Sequence, residues 1–203
     1  MHEEFKASAD APRKPGKPGA FLRQPRVRLG AAVALAVAAG LIAWAVIGSG
    51  GNSSPGTQRS TPAVAGTGPV AVSPSGLRTM SSTLKQPIYW AGARRGYTYE
   101  LTRTSDAKIF VRYLPPGVKV GAKGANYLIV ATYPFPNALN GLKAVSKGRT
   151  IPISGNGIAV VDGSYPKSVH LAFPGVDYQV EVYDPKPATA LSVATSGDVR
   201  PVR

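Results

Sequence analysis

Apolar and polar positions along the chain fall into three regimes. From Leu29 to Gly48 every residue is uncharged and apolar or small, LGAAVALAVAAGLIAWAVIG, for 20 positions. As a helix this run is about 30 Å long, which matches the hydrocarbon thickness of a bilayer. A helix buried in a soluble core would show a polar face, and this one has none. Residues 29–48 are therefore predicted to be a transmembrane helix. Residues 49–80 show no hydrophobic period. Beyond them, the period becomes that of strands. Tyr97, Tyr99 and Leu101 alternate with Thr98, Glu100 and Thr102, and Ile109, Val111 and Tyr113 alternate with Lys108, Phe110 and Arg112. With Ser105-Asp106 between them, the two runs predict a β-hairpin. A two-residue loop would oppose Arg103 to Lys108. A three-residue loop opposes Glu100 to Arg112 and Tyr99 to Tyr113, and cross-strand pairing favours it. Pro115-Pro116-Gly117 ends the second strand.

The continuous apolar run Tyr127–Tyr133 predicts a buried central strand. A helix follows, with Asn137 as N-cap, Leu139, Leu142 and Val145 as its buried stripe and Gly148 as its stop. A meander is expected next, over Thr150–Ile153, Gly157–Val161, Ser168–Phe173 and Tyr178–Tyr183, broken by Gly-, Pro- and Asp-containing turns. Residues 187–195 can form a last helix stopped by Gly197, with Asp198–Arg203 returning as a short strand. Residues 81–203 thus read as an α+β domain, a mostly antiparallel sheet with one or two helices. An all-β sandwich with one helical insert is the alternative.

Charge sets the orientation. Arg23, Arg26 and Arg28 stand directly before the apolar run, and no charge follows it until Arg59. The positive side stays cytoplasmic, so the N-terminus is expected inside and the C-terminal domain outside the cell membrane. A cleaved signal peptide competes, because Ala43-Trp44-Ala45 has cleavage-type spacing; the length of the run favours an anchor. Residues 1–28 hold seven Lys/Arg and three acids with four prolines, which suggests a disordered basic cytoplasmic tail. Residues 49–80 contain 20 Gly, Ser, Thr or Pro and no aromatic residue, the composition of a disordered linker.

The whole chain has 203 residues, 24 Lys+Arg and 10 Asp+Glu, for a formal charge of +14. It has no Cys and two His, His2 and His170, which excludes disulfides, Cys nucleophiles and Cys- or HExxH-type metal centres. No metal-ligand set and no cofactor motif emerges. His170 is the one imidazole of the domain, and a four-residue loop at 174–177 pairs it with Glu181. That would set an imidazole beside a carboxylate, a weak catalytic candidate for a general base. A serine nucleophile would have to come from Ser154, Ser164 or Ser168, and no GxSxG or SxxK motif surrounds them. Lys119-Val-Gly-Ala-Lys123-Gly is a basic, glycine-bearing loop and a weak candidate for anion binding. Tyr89 and Trp90 are weak candidates for stacking on sugars. The domain carries 15 basic and 7 acidic side chains between residues 81 and 203. Outside a cell such a surface meets anionic polymers, lipid head groups and acidic proteins; nucleic acid is not expected there.

The Ala-rich span, the Gly/Ser/Pro linker and the segment Tyr97–Gly117 (YTYELTRTSDAKIFVRYLPPG) resemble small single-pass exported membrane proteins of high-GC bacteria, a group that brings no assigned activity and no functional residues. The expected function is non-catalytic binding or scaffolding in the cell envelope, with the bilayer met through residues 29–48 and an anionic polymer, carbohydrate or protein met outside. The alternatives are an envelope hydrolase using His170 and Glu181, and an accessory subunit of a membrane signalling or transport complex.

Overall fold

The computed structural model describes residues 68–203. The tail, the apolar run at 29–48 and most of the linker lie outside the described residues. Among the described residues no helix is long and apolar enough to cross a membrane.

Ten strands and three helices follow one another as β1 (Val70–Val72), α1 (Pro74–Leu84), β2 (Tyr89–Trp90), β3 (Thr98–Arg103), β4 (Ile109–Leu114), β5 (Ile129–Pro134), α2 (Ala138–Ser146), β6 (Ile151–Ile153), β7 (Gly157–Val161), β8 (Ser168–Ala172), β9 (Tyr178–Tyr183), α3 (Pro187–Thr195) and β10 (Arg200–Pro201). Eight strands form one sheet in the order β1-β3-β4-β5-β9-β8-β7-β6, and β2 pairs with β10 in a separate ribbon. Every pairing is antiparallel. The class is α+β, as expected; the sandwich alternative is not what forms.

The β3–β4 register opposes Glu100 to Arg112 and Tyr99 to Tyr113. Its closing pair is Thr104 with Lys108, and Ala107 takes a left-handed conformation inside the three-residue loop. This is the geometry of a type I turn followed by an αL residue. β5 lies between β4 and β9, so the apolar run is central in the sheet.

One sheet face is apolar. Leu101, Val111, Val130, Val180, Val182, Val169 and Leu171 point there and pack with Leu77 of α1 and Ala190 and Ala194 of α3. The β2–β10 ribbon joins this layer through Tyr89, which stacks on Phe173 at 5.5 Å. The opposite face is mixed. Ile158, Val160 and Ala172 meet Ala138 and Leu142 of α2, and Phe110, Ile129, Ala131 and Tyr133 form a second small cluster.

Four expectations need correction. The linker expected through residue 80 gives way to folded chain by Val70, because Val70–Val72 pairs with β3 and Pro74–Leu84 is helical. Ser73 caps α1, accepting from the Gly76 amide at 3.0 Å, and Pro74 sits in its first turn. The small polar residues of this stretch look like linker, yet Leu77, Met80 and Leu84 share the buried side. The helix count is therefore three rather than one or two. In α2 the buried positions are Ala138, Leu142 and Ser146, while Val145 is exposed. Asn137 makes no side-chain cap; its backbone amide instead donates to Asp177 Oδ1 at 2.9 Å, tying the helix start to the β8–β9 turn.

Candidate functional site

Strand alternation sends four chemically capable side chains of β8 and β9 to the mixed face: Ser168, His170, Gln179 and Glu181. The register sets His170 opposite Glu181, as the turn length implies. β5 adds Tyr133 opposite Gln179. α2 packs on β7, β8 and β9 from this side. All five side chains are buried, Glu181 to 1% exposure and His170 to 5%.

Their hydrogen bonds do not follow the order of a catalytic dyad. Glu181 Oε1 accepts from Ser168 Oγ and Oε2 accepts from Tyr133 Oη, both at 2.5 Å. His170 Nδ1 meets Gln179 Nε2 at 3.1 Å. The imidazole therefore leans on an amide, and the serine hydroxyl points at the carboxylate. Burial lowers the His170 pKa below its ordinary value; the charges of Glu181 and Asp162 oppose that shift without overcoming it. Burial, reinforced by the Glu181 carboxylate beside it, raises the Tyr133 pKa well above its ordinary value, so this phenol stays protonated and donates.

A second polar nest lies towards the other end of the same face. Glu100 and Arg112 are fully buried and joined at 2.7 Å. The segment between β4 and β5 closes over them. Gly121 donates its amide to Glu100 Oε2 at 2.6 Å, and Arg112 Nη2 donates to the carbonyls of Ala122 and Gly124 at 2.9 and 3.0 Å. The guanidinium also stands over the Tyr127 ring at 5.0 Å. Gly121 has φ +80°, which turns its amide inward at little cost for a residue without a Cβ. A phosphate cradle needs outward-facing amides. In this loop Gly121 points in, while Lys119 and Lys123 are exposed on its outer side.

The remaining candidates separate. Tyr89 is a core residue, 4% exposed and stacked on Phe173. Trp90, next to it, is half-buried and meets Tyr99 edge-on at 5.8 Å. Arg200 is its cross-strand partner in the ribbon. No group of three or more metal-ligating side chains occurs among the described residues.

The structure also redistributes charge. Residues 68–203 hold 16 Lys/Arg and 7 Asp/Glu; Arg112, Glu100 and Glu181 are buried, which leaves 15 cations and 5 carboxylates outside the core. Among the described residues, Lys108 with Asp106 at 2.9 Å is the one ion pair outside it. Asp162, Asp177 and Asp184 accept backbone amides of their own turns or of α2's start. Sequence reasoning found the net charge but not this asymmetry. The predicted Glu100–Arg112 and His170–Glu181 registers set two of the seven acids opposite these partners, and only the helix and loop packed over that face bury them. No family model matches the chain, and neither curated proteins nor solved structures show significant similarity to it.

Proposed function

We propose that the protein is an envelope-binding module, anchored by residues 29–48 with its α+β domain outside the cell, that captures an anionic partner without chemistry. The observation that carries this reading is the surface imbalance of 15 cations to 5 carboxylates, with one ion pair among them. Cations without carboxylate partners create a positive potential that concentrates polyanions and speeds their encounter. The polar groups with catalytic potential support it from the other side. Glu181, Ser168 and Tyr133 engage one another, and His170 engages Gln179, all beneath the sheet face that α2 packs on. These bonds serve packing.

The test uses the full chain in neutral detergent micelles, mixed with isolated cell-wall sacculi or with anionic liposomes at low and high salt. Retention at low salt that is lost at high salt supports the reading, because charge pairing at a surface is screened within about 10 Å at 0.1 M ionic strength. No retention on either material at low salt overturns it.

A further inference from the structure

We infer that the end of the domain built by the β2–β10 ribbon and residues 91–97 is the binding site, and that its ligand is an anionic glycopolymer carrying phosphate or carboxylate groups. This rests on the binding reading above and gives it a location.

The site grows from the aromatic residues of the β3–β4 hairpin and of the β2–β10 ribbon. Tyr99 and Tyr113 are cross-strand partners on β3 and β4, with rings edge-to-face at 5.2 Å. Their hydroxyls reach past the sheet and hold the backbone of the loop. Ala91 donates its amide to Tyr113 Oη at 2.7 Å, and that hydroxyl donates to the Gly92 carbonyl at 3.1 Å. Arg94 donates its amide to Tyr99 Oη at 2.6 Å, and Tyr99 returns a bond to the Arg94 carbonyl at 3.1 Å. Four hydrogen bonds thus fix a loop of otherwise ordinary polar sequence. The Arg94 guanidinium lies over the Tyr113 ring at 5.3 Å. Trp90 extends the aromatic row on the other side of Tyr99. Directly opposite residues of an antiparallel pair project to the same side, so Arg200 stands beside Trp90. Arg95 and Tyr97 are exposed on the same loop.

Three arginines therefore stand at this end: Arg94 and Arg95 on the loop and Arg200 opposite Trp90. Among the described residues neither Arg94, Arg95 nor Arg200 is within ion-pairing distance of an Asp or Glu carboxylate. The residue type matters. The cations of α2 and of the loop over Glu100 are lysines, Lys119, Lys123, Lys143 and Lys147, whereas those of residues 91–97 and of β10 are arginines. A guanidinium presents a planar fork that matches phosphate and carboxylate oxygens two at a time, and it stacks on aromatic rings while doing so. Holding the loop rigid before the ligand arrives lowers the ordering cost of binding.

The same surface favours a polymer over a bilayer. Among the described residues none of the large exposed aliphatic side chains belongs to the ribbon or to residues 91–97, so this end has no aliphatic wedge to insert among acyl chains. It offers the half-buried Trp90 and the exposed Tyr97, whose ring faces suit the apolar side of a sugar. Charges spread over several arginines suit a ligand with repeated anionic groups.

The experiment uses the full chain in nanodiscs of zwitterionic lipid. The probes are a phosphorylated mannan, a polyuronate, and separate vesicles of phosphatidylcholine and phosphatidylglycerol. Arg95→Gln with Arg200→Gln removes two exposed charges, and Lys143→Gln with Lys147→Gln removes the same charge from α2. Arg94→Lys keeps the charge and removes the fork. The Arg95/Arg200 double variant is expected to weaken polymer binding by at least about tenfold, since contacts to charged groups are worth more than neutral ones. The lysine control is expected to stay within about twofold, a through-space screening effect only, and Arg94→Lys is expected to fall between them. Circular dichroism and thermal midpoints check that each variant is folded. Equal losses in the arginine and lysine pairs overturn this site while leaving the general anion-binding reading standing. Preference for the vesicles over both polymers also overturns the ligand assignment. No binding of any probe by the unmodified chain overturns both.

Discussion

Glu100 and Glu181 sit on the same face of the same sheet, both buried, and are satisfied in opposite ways. Glu100 faces a cation, Arg112, and the loop over it contributes one amide to the carboxylate and two carbonyls to the guanidinium. Among the described residues no cation is within ion-pairing distance of Glu181; two hydroxyls, from Ser168 and Tyr133, occupy its oxygens. The first nest is a charge pair that the backbone of the covering loop also engages. The second is a hydroxyl-lined carboxylate with a neutral imidazole nearby. The first couples β3, β4 and the 115–127 segment, and breaking it strands a formal charge. The second couples β5, β8 and β9, and it can be altered without leaving an opposite charge behind. Burial of polar groups thus serves connection in both nests, but with very different sensitivity to single changes.

The largest expected effect tests the charge pair. Arg112→Met or Glu100→Gln should cost about 3–5 kcal/mol in urea unfolding, because each leaves its partner buried and unneutralised. The double variant Glu100→Leu/Arg112→Met should lose less than either single change. A double variant as damaged as the worse single one would mean that loop closure, not charge, dominates this nest.

The hydroxyl-held carboxylate should be more forgiving. Glu181→Gln should cost about 1–3 kcal/mol, since one hydroxyl keeps an acceptor and the other has to reorient towards the new amide. A loss equal to that of Glu100→Gln would erase the distinction between the nests.

A smaller, pH-dependent effect comes from His170. Its pKa in the fold lies below the unfolded value of 6.5, so the unfolded chain binds the extra proton first as pH falls. Stability is therefore full above pH ~6.5 and declines as pH drops from there towards the folded-state pKa. Thermal midpoints measured across this window should show a slope that His170→Gln flattens. An unchanged slope would assign acid sensitivity to other groups.

The smallest effect is expected at the lid. Lys119→Ala with Lys123→Ala should stay within about 0.5 kcal/mol of the original stability, because both side chains are exposed and the loop is held by its backbone. A large loss would show that these lysines support the nest beneath them.

Much of the fold was legible in the chain. β7, β9 and α3 fall on the expected residues, and the β3–β4 and β8–β9 registers follow from turn length and alternation. Those are local decisions, made by period-2 patterning and by the geometry of three- and four-residue loops. The first helix was not read, although Ser73-Pro74 is a sound start signal. Its Gly, Ser and Thr content hid a three-residue apolar stripe that gains its stability from the β2–β10 layer and the sheet rather than from propensity. Val145 was assigned inward for a related reason. Leu139, Leu142 and Val145 make a plausible stripe in isolation, but α2 lies over β7 and β8 with Ala138, Leu142 and Ser146 buried and Leu139 only partly so.

The sequence by itself determined the alternation, the hairpin registers, the net positive charge and the pairing of His170 with Glu181, since each depends on residues close along the chain or joined by one turn. Tertiary structure decided which side chains those registers would engage. It gave Glu181 to Ser168 and Tyr133, turned the basic loop's Gly121 inward onto Glu100, buried Tyr89 and left Trp90 beside Arg200. The physical reason is that a hydrogen bond or a ring contact is won among several neighbours in space, and β5, the loop and the last strand reach these places only when the sheet is complete.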